Sequence, residues 1–242
     1  METIPRYVNA LNELTPEEQA EILALARKSN PDPEPPLPKP VQANTTITFA
    51  RTDTGNAERF IYQHAANIRY CAIHKTWYIW DGKRWKEDTA GRIYYLARKT
   101  VRSIPKEADQ FPDGDPMRVE ILKHAAKSES RERITAKVQL AQYDPTIIIE
   151  PEEFDCNPWL LNCLNGTLNL KTGSLQAHRQ EDLITKICPI NYDQAATCPK
   201  WEQFLNEIFR SNELISYVQK ISGYILTGSI KAQDFYLLYG TG

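Results

Sequence analysis

The sequence predicts an α+β fold that is mostly helical and carries a β-hairpin and a small antiparallel meander. Helices are indicated because apolar residues recur every three or four positions in several segments. The hairpin is indicated by Asp81-Gly82, a tight-turn dipeptide between two aromatic runs. The meander is indicated by the turn segments at 165–166 and 171–173, which separate three short apolar runs.

The length and composition are those of a globular protein. At 242 residues with 41% apolar content, the chain can bury a large core as one domain with appendages or as two. Its longest apolar runs, Thr146–Ile149 and Phe235–Tyr239, fall far short of the roughly 20 residues of a membrane-spanning helix, so no membrane partner is expected. Met1 leads directly into Glu2 and Pro5 without a secretion signal, which predicts a cytoplasmic protein. The five cysteines are scattered without a C-x-x-C pair, so neither a disulfide framework nor a metal site is predicted.

The N-terminal segment is predicted to be a short helix followed by a linker. Thr15, Pro16 and Glu18 provide the N-cap, first-turn proline and capping box of a helix over residues 16–28. Six prolines then lie within residues 31–40, a composition typical of an extended, semi-rigid spacer. A proline-rich docking motif is the alternative function of this stretch.

A helix and the hairpin are predicted to open the globular body. Asp53 or Thr54 can cap a helix whose inner face consists of Ala57, Phe60, Ile61 and His64. The hairpin strands are Trp77–Trp80 and Arg84–Lys86. Trp77 and Trp85 are candidates for stacking on DNA bases. The favoured interpretation is that these cross-strand aromatics stabilise the hairpin and cover the core.

The clearest amphipathic pattern predicts a helix with one cationic face. Its apolar stripe consists of Ile93, Leu96, Ala97, Thr100, Val101 and Ile104. Its other side carries the candidate DNA-binding residues Tyr95, Arg98, Lys99, Arg102 and Lys106. Residues 50–137 hold 18 basic and 12 acidic side chains, and this excess of positive charge suits contact with phosphates. The alternative is an ordinary solvated face, neutralised by the acidic residues between Glu107 and Asp115.

The remaining segments predict two more helices, a strand, the meander and a final pair of helices. The first two helices span about Met117–Lys127 and Glu132–Gln142, and Thr146–Ile149 is predicted to be a short buried strand. The meander strands are Leu160–Leu164, Thr167–Leu170 and Ser174–Ala177. The last two helices are expected to bury apolar faces made of Trp201, Phe204, Leu205 and Ile208 and, after an Asn212 cap, of Leu214, Tyr217, Val218 and Ile221.

The C-terminal residues predict the opening of a phosphate-binding loop. Asp234–Tyr239 is predicted to be a buried strand of a parallel sheet that leads into Gly240, Thr241 and Gly242. In a P-loop, a strand enters a glycine-rich turn whose amides hold phosphates, and Lys and Ser/Thr follow. The fold is therefore predicted to end in the first strand of a P-loop ATPase domain, with these three residues as part of a cofactor site.

Several segments, taken in order, resemble the phage/plasmid/poxvirus primase-helicase family in the region that precedes a superfamily 3 helicase. These segments are Asp53–Phe60, Trp77–Trp85, Leu160–Gly173, Cys198–Trp201, Gly223–Gly228 and Tyr236–Gly242. The resemblance covers residues 50–242. It implies a collar domain over residues 46–230 and the start of a helicase domain over 231–242, both after the N-terminal helix and linker that the sequence pattern predicts over residues 1–45.

The resemblance implies a DNA replication protein whose full-length form assembles into a homo-oligomeric ring, hydrolyses ATP with Mg²⁺ and translocates along DNA. This chain would serve DNA binding or oligomerisation ahead of that motor, on single-stranded DNA or a replication origin. It would be encoded by a phage or mobile element and act in a bacterial host cell. The P-loop lysine, the Mg²⁺-holding Ser/Thr and the downstream motor motifs are absent from the sequence. We therefore expect a truncated, catalytically inactive chain without catalytic residues or a cofactor of its own.

Two other functions compete with this interpretation. One is a stand-alone single-stranded DNA-binding or replication interaction module that uses Lys99, Arg102 and the hairpin tryptophans. The other is an unrelated enzyme built on Asp53, Asp81 or Asp155. The enzyme is disfavoured because no spacing in the sequence sets two carboxylates, or a nucleophile and a base, side by side.

Overall fold

A computed structural model describes residues 48–209 and 211–237. These residues fall into two compact units. The first unit contains residues 48–156 and Arg179–Lys186, and the second contains Asn157–His178 and residues 187–237. The predicted N-terminal helix, the proline-rich linker and Gly240–Gly242 lie outside the described residues.

The first unit consists of four helices and a three-stranded sheet, so it has the predicted α+β composition. Its helices and strands are α1 (Asp53–His64), β1 (Ile68–Cys71), β2 (Thr76–Trp80), β3 (Trp85–Glu87), α2 (Arg92–Ser103), α3 (Pro116–Ser128) and α4 (Arg131–Ala141). Short 3₁₀ helices span Ala65–Asn67, Ile104–Gln110, Pro151–Glu153 and Gln180–Asp182. Helices α2, α3 and α4 confirm the predicted bounds to within one or two residues, except that α2 ends one residue before Ile104, which opens the next 3₁₀ helix.

Helix α1 begins one residue earlier than predicted. Thr52, which has an extended backbone, is the N-cap, and its Oγ1 accepts a hydrogen bond from the Gly55 amide at 3.1 Å. The predictions of Asp53 or Thr54 as the cap were wrong because both residues already have helical geometry. The predicted inner face is confirmed, since Phe60 and Ile61 are buried in the main core between α1, α4 and the sheet.

The sheet of the first unit confirms the predicted hairpin and adds a strand to it. The strand order is β1-β2-β3, all antiparallel, with Trp80 opposite Trp85. The turn is four residues long because the Asp81 carboxylate accepts hydrogen bonds from the Lys83 and Arg84 amides, both at 2.9 Å. Gly82, with φ +99°, supplies the left-handed conformation that this turn requires.

The predicted strand at Thr146–Ile149 is only a single bridge. Tyr70 of β1 donates to the Ile147 carbonyl at 2.7 Å and accepts from the Ile149 amide at 3.1 Å, in parallel orientation. Ile147 and Ile149 are buried, as their apolar character predicts, but Ile148 is partly exposed. The segment is too short to extend this pairing into a ladder, so the prediction of a strand was wrong.

The second unit contains the predicted meander and the final pair of helices. Its elements are β4 (Leu160–Cys163), β5 (Gly166–Asn169), β6 (Ser174–Gln176), α5 (Pro199–Ile208) and α6 (Asn212–Ile225). The three strands pair in sequence order, which confirms the turns at 165–166 and 171–173. A Cβ on Gly166 would lie 2.5 Å from the Gln176 carbonyl oxygen, so glycine is required where β5 begins.

The predicted core faces of α5 and α6 are largely uncovered. Leu205 is fully buried, whereas Phe204, Ile208, Leu214 and Tyr217 are exposed. The helical spacing identified apolar faces correctly, but within the described residues no element covers them. Ser211, not Asn212, is the N-cap of α6, and its side chain makes no capping hydrogen bond.

The described C-terminal residues do not show the predicted P-loop strand. Residues 233–237 have no regular secondary structure, and Phe235 and Leu237 are exposed. A parallel strand needs a neighbouring strand to bond, and none of the described strands pairs with this segment. Among the described residues, no helix has the length and apolar character needed to cross a membrane.

Candidate functional site

Helix α2 presents the predicted cationic face because the opposite side of the helix is fixed in the core. The Asp88 carboxylate accepts hydrogen bonds from the Arg92 and Ile93 amides, both at 2.7 Å, and so caps the helix start. The stripe residues Ile93, Ala97, Thr100 and Val101 are buried. The stripe and the cap together set which residues of α2 face solvent.

The cationic face, defined here as Tyr95, Arg98, Lys99, Arg102 and Lys106, is exposed throughout. The Tyr95 side chain is 54% exposed, and the Lys99 ammonium lies 5.5 Å from the centre of its ring. Lys106 extends the face into the 3₁₀ helix that follows α2. Within residues 48–209 and 211–237, none of these four cations forms an ion pair.

The nearby acidic residues are engaged by other groups. Glu107 forms a bidentate ion pair with Arg59, with N–O distances of 2.7 and 2.8 Å. Arg118 lies 3.9 Å from a carboxylate oxygen of Asp109 and 3.3 Å from one of Asp113. The Asp115 carboxylate caps α3 by accepting from an amide at 2.7 Å. The acids at 107–115 therefore bond these groups and do not pair with the cations of the face.

One acid and one histidine border the cationic face. Glu129 lines a shallow cleft with Arg98 and Arg102 but forms no ion pair with either within the described residues. His64 shares a hydrogen bond with the Thr100 hydroxyl at 3.1 Å. Burial, followed by the charges of Lys137 and Lys99, lowers the pKa of His64, which favours its neutral form. The positive charge of the face therefore comes from its arginines and lysines.

The two candidate tryptophans lie in the core instead of on a surface. Trp77 packs in the main core against Phe60 and Tyr70, and Trp85 is completely buried. The Trp85 indole donates a hydrogen bond to the Gln180 carbonyl at 2.9 Å. Neither ring has a face open to a base, because each is covered by side chains of the core.

Of the carboxylates considered for an unrelated enzyme, Asp81 and Asp155 have structural partners, whereas the buried Oδ1 of Asp53 has none within the described residues. Asp81 bonds the hairpin turn, and Asp155 accepts hydrogen bonds from the Thr185 amide and hydroxyl at 2.8 and 2.5 Å. Asp53 lies in the first turn of α1. In the part of the chain that the structure describes, no group of three His, Cys, Asp or Glu side chains is placed to hold a metal ion.

Sequence reasoning missed the side chains that engage the acids. Arg59 and Arg118 give no local signal of this role, because the partner of Arg59 lies 48 residues away and those of Arg118 lie outside its own helix. Only the position of Arg59 on the inner side of α1, beside Phe60, could have suggested a buried cation.

Comparison with known proteins gives one family. The family model described as "D5 N terminal like" matches residues 57–210, well over half of the chain. No curated protein matches the chain. The matched region includes most of α1, the hairpin, α2 and the meander, and so covers the helix that carries the cationic face. The chain therefore belongs to the D5 N terminal like family, the N-terminal region of D5-type primase-helicases of phages, plasmids and viruses.

Proposed function

We propose that this chain is the DNA-binding part of a replication primase-helicase and that the cationic face of α2 contacts the phosphates of single-stranded DNA. The observation that carries this proposal is that the acids at 107–115 bond Arg59, Arg118 and the start of α3, next to four exposed cations that form no ion pair within the described part of the chain. The family context is that of DNA replication. Phosphates are the partners that such a surface suits.

The arrangement of charge on α2 supports an anionic partner. Arg98 and Arg102 are four residues apart on one exposed side, and like charges at this spacing cost a few tenths of a kcal/mol. Lys99 and Lys106 add to the same positive field. An anion bound across the face would offset this repulsion, and DNA supplies one negative charge per nucleotide at regular spacing.

Tyr95 gives the face a second kind of contact. Its ring is exposed and lies beside the Lys99 ammonium, so an aromatic surface and a cation are presented together. Proteins that bind single strands without sequence preference combine a basic track with aromatic side chains on which bases stack. Stacking on Tyr95 would contribute about 1–3 kcal/mol for one base.

The same proposal assigns ATP hydrolysis, translocation and ring assembly to the full-length protein. The predicted phosphate loop at Gly240, Thr241 and Gly242 would contact ATP, and Mg²⁺ would accompany it. These residues lie outside the described part of the chain. The DNA-binding role of α2 is independent of them and can be tested on the chain as it is.

The test is fluorescence anisotropy with a labelled oligothymidylate. We expect wild-type binding to weaken as salt rises and the double variant Arg98→Ala/Arg102→Ala to lose about tenfold in affinity at low salt. Its slope of log K against log salt should be shallower by about 1.4, since each lost contact with a single strand removes about 0.7. Tyr95→Ala should weaken binding at every salt concentration, because stacking is not ionic.

A matched control separates a local site from general charge. Lys123 and Lys127 are exposed cations, also four residues apart, on α3. Lys123→Ala/Lys127→Ala removes the same charge, and we expect it to change affinity less than twofold. Equal losses in both double variants, or no binding by wild type at low salt, would contradict the assignment to α2.

A further inference from the structure

A cleft in the first unit contains a half-buried arginine that forms no ion pair with an acid of the described residues. The cleft has a volume of about 310 Å³ and is called the Arg69 cleft here. It lies where β1, the bridged segment at 146–149 and three 3₁₀ helices (Ala65–Asn67, Pro151–Glu153 and Gln180–Asp182) converge. Besides Arg69, the residues used below are Ile148, Ile149, Glu153, Glu181 and Leu183.

The Arg69 guanidinium is held in a fixed position. Its Nη1 donates to the carbonyls of Ala65 and Ile68 at 2.6 and 2.7 Å. Its central carbon lies 4.6 Å from the centre of a Trp85 ring, a cation–π distance. Within the described residues, Nε and Nη2 make no hydrogen bond, and neither nitrogen is fully buried. Two donor nitrogens are therefore presented to the cleft by a group that is already ordered.

Two carboxylates line the same cleft without closing onto the guanidinium. Glu153 and Glu181 are near enough to raise the pKa of Arg69 against the lowering effect of its burial, but neither forms an ion pair with it within the described residues. One oxygen of Glu153 accepts from the Glu150 amide at 2.9 Å, which orients that side chain. Donors and acceptors thus line one space and do not satisfy each other.

The rest of the lining is apolar. Ile148, Ile149 and Leu183 contribute hydrophobic surface, and Ile148 is 39% exposed. The formal charge of one arginine and two glutamates is −1, which disfavours a free phosphate. The chemistry suits a flat, neutral molecule that accepts hydrogen bonds along one edge and donates them along another.

We propose that the Arg69 cleft binds one unpaired guanine base of single-stranded DNA. This inference rests on the proposed function and deepens it, because it adds base preference to a contact otherwise made with phosphates. Guanine O6 and N7 accept the two free donors of Arg69, the pairing that arginine makes most often with a base. Guanine N1–H and the 2-amino group donate to a carboxylate, and the apolar side chains pack against the ring.

The other bases match this lining less well. Thymine has no amino group to donate to Glu153 or Glu181. Adenine has no carbonyl to pair with Arg69 beside its N7, and cytosine has an amino group but no ring N–H. Unpaired bases can be read on both of these edges, whereas a duplex hides one of them. The cleft is therefore specific to single strands as well as to guanine.

The test compares oligothymidylates that carry one central substitution. We expect the strand with one guanine to bind about tenfold tighter than those with adenine, cytosine or thymine, in the range of one good base contact. Inosine lacks the 2-amino group and 7-deazaguanine lacks N7, so each should lose part of this gain. If only one of the two analogues binds more weakly than guanine, the cleft does not contact both edges of the base, and the proposed geometry is wrong.

Substitutions in the cleft test whether it is the source of the guanine preference. Glu153→Gln/Glu181→Gln should abolish the guanine preference and leave affinity for plain oligothymidylate unchanged. The control Glu58→Gln/Glu152→Gln removes two other exposed carboxylates and should keep the preference. Equal affinity of wild type for the four strands, or a preference that survives Glu153→Gln/Glu181→Gln, overturns the proposal.

Free nucleosides separate this inference from the phosphate contacts. Guanosine, but not thymidine, should shift the NMR signal of the indole N–H of Trp85, whose ring lies against the Arg69 guanidinium. If no oligonucleotide binds yet guanosine shifts this signal, the proposed function and the role of the cleft in binding DNA fail, and only recognition of the guanine base stands. If oligonucleotides bind without base preference and guanosine has no effect, the cleft assignment fails and the α2 assignment stands.

Discussion

Replacing Glu107 by Gln should expose how strongly the first unit depends on one buried ion pair. Arg59 is 1% exposed, and all of its N–H groups have acceptors. Nε and Nη2 donate to Glu107, Nη2 also donates to the Phe49 carbonyl, and Nη1 donates to the Ala50 carbonyl and the Asn56 amide oxygen, at 2.7–3.4 Å. The variant keeps the shape of residue 107 but leaves the Arg59 charge without a counter-ion.

The expected cost follows from the burial of the two partners. Removing one member of a buried ion pair destabilises a protein by about 3–5 kcal/mol, because the remaining charge is left in a poorly solvated place. The Glu107 side chain is 26% exposed, so water can approach the vacated position. We therefore expect a loss near the lower limit, about 3 kcal/mol in the free energy of unfolding.

Urea unfolding followed by tryptophan fluorescence measures this loss. The matched control is Glu120→Gln, which breaks the Arg51–Glu120 pair, whose side chains are 39% and 57% exposed. We expect this control to lose less than about 1 kcal/mol. Equal midpoints for the two variants at unchanged m-values would refute the argument, because burial would then not determine the strength of the pair.

Two further substitutions test other features of the first unit. Burial, followed by the Arg59 charge, lowers the pKa of Lys137 to about 8 from 10.5. Between pH 8 and 10.5 the unfolded chain therefore binds more protons than the folded chain. The stability of the wild type should rise with pH in this range relative to Lys137→Met, by at most about 1.4 kcal/mol per pH unit. Parallel curves of stability against pH for the two proteins would contradict this. A Cβ on Gly55 would lie 2.0 Å from the Ala50 carbonyl oxygen, so Gly55→Ala should cost about 3 kcal/mol in urea unfolding. Gly114 has φ +88° but open space around a Cβ, so Gly114→Ala should cost only about 1 kcal/mol. A larger loss for Gly114→Ala than for Gly55→Ala would show that backbone strain outweighs the steric clash.

Local chemistry explains which elements were predicted from the sequence. The hairpin and the meander depend on turn residues that act within a few positions, and both were found with the expected strands. Helix α2 was predicted because its apolar stripe repeats over the whole helix. Strand β1 was missed because four residues that include Arg69 carry too little periodicity to stand out.

Predictions failed where the outcome depended on a partner distant in sequence. Thr146–Ile149 is apolar and buried in part, but it makes only one bridge, to Tyr70 of β1, which is distant in the sequence. The apolar spacing of α5 and α6 shows that a face exists and says nothing about what covers it. A periodic pattern therefore predicts that a helix or strand forms more reliably than it predicts which residues pack against that element.

The same distinction applies to the candidate sites. The five residues of the cationic face lie close together in sequence, so their common side of a helix could be predicted. The Arg69 cleft joins residues from positions 69, 148–153 and 180–183, and only the folded chain brings them together. The burial of Trp85 depends on the same distant segment, since its indole bonds the Gln180 carbonyl.

Pairing within the fold also changes what the charge count means. Residues 50–137 carry six more basic than acidic side chains, a modest excess when it is averaged over the surface. Arg59 and Arg118 lie on other helices, and they engage three of the acids closest to α2. The excess is therefore not spread evenly, because acids near α2 are neutralised by cations outside it. The cations of α2 are not neutralised by these acids, so the local field at this face is stronger than the composition alone indicates.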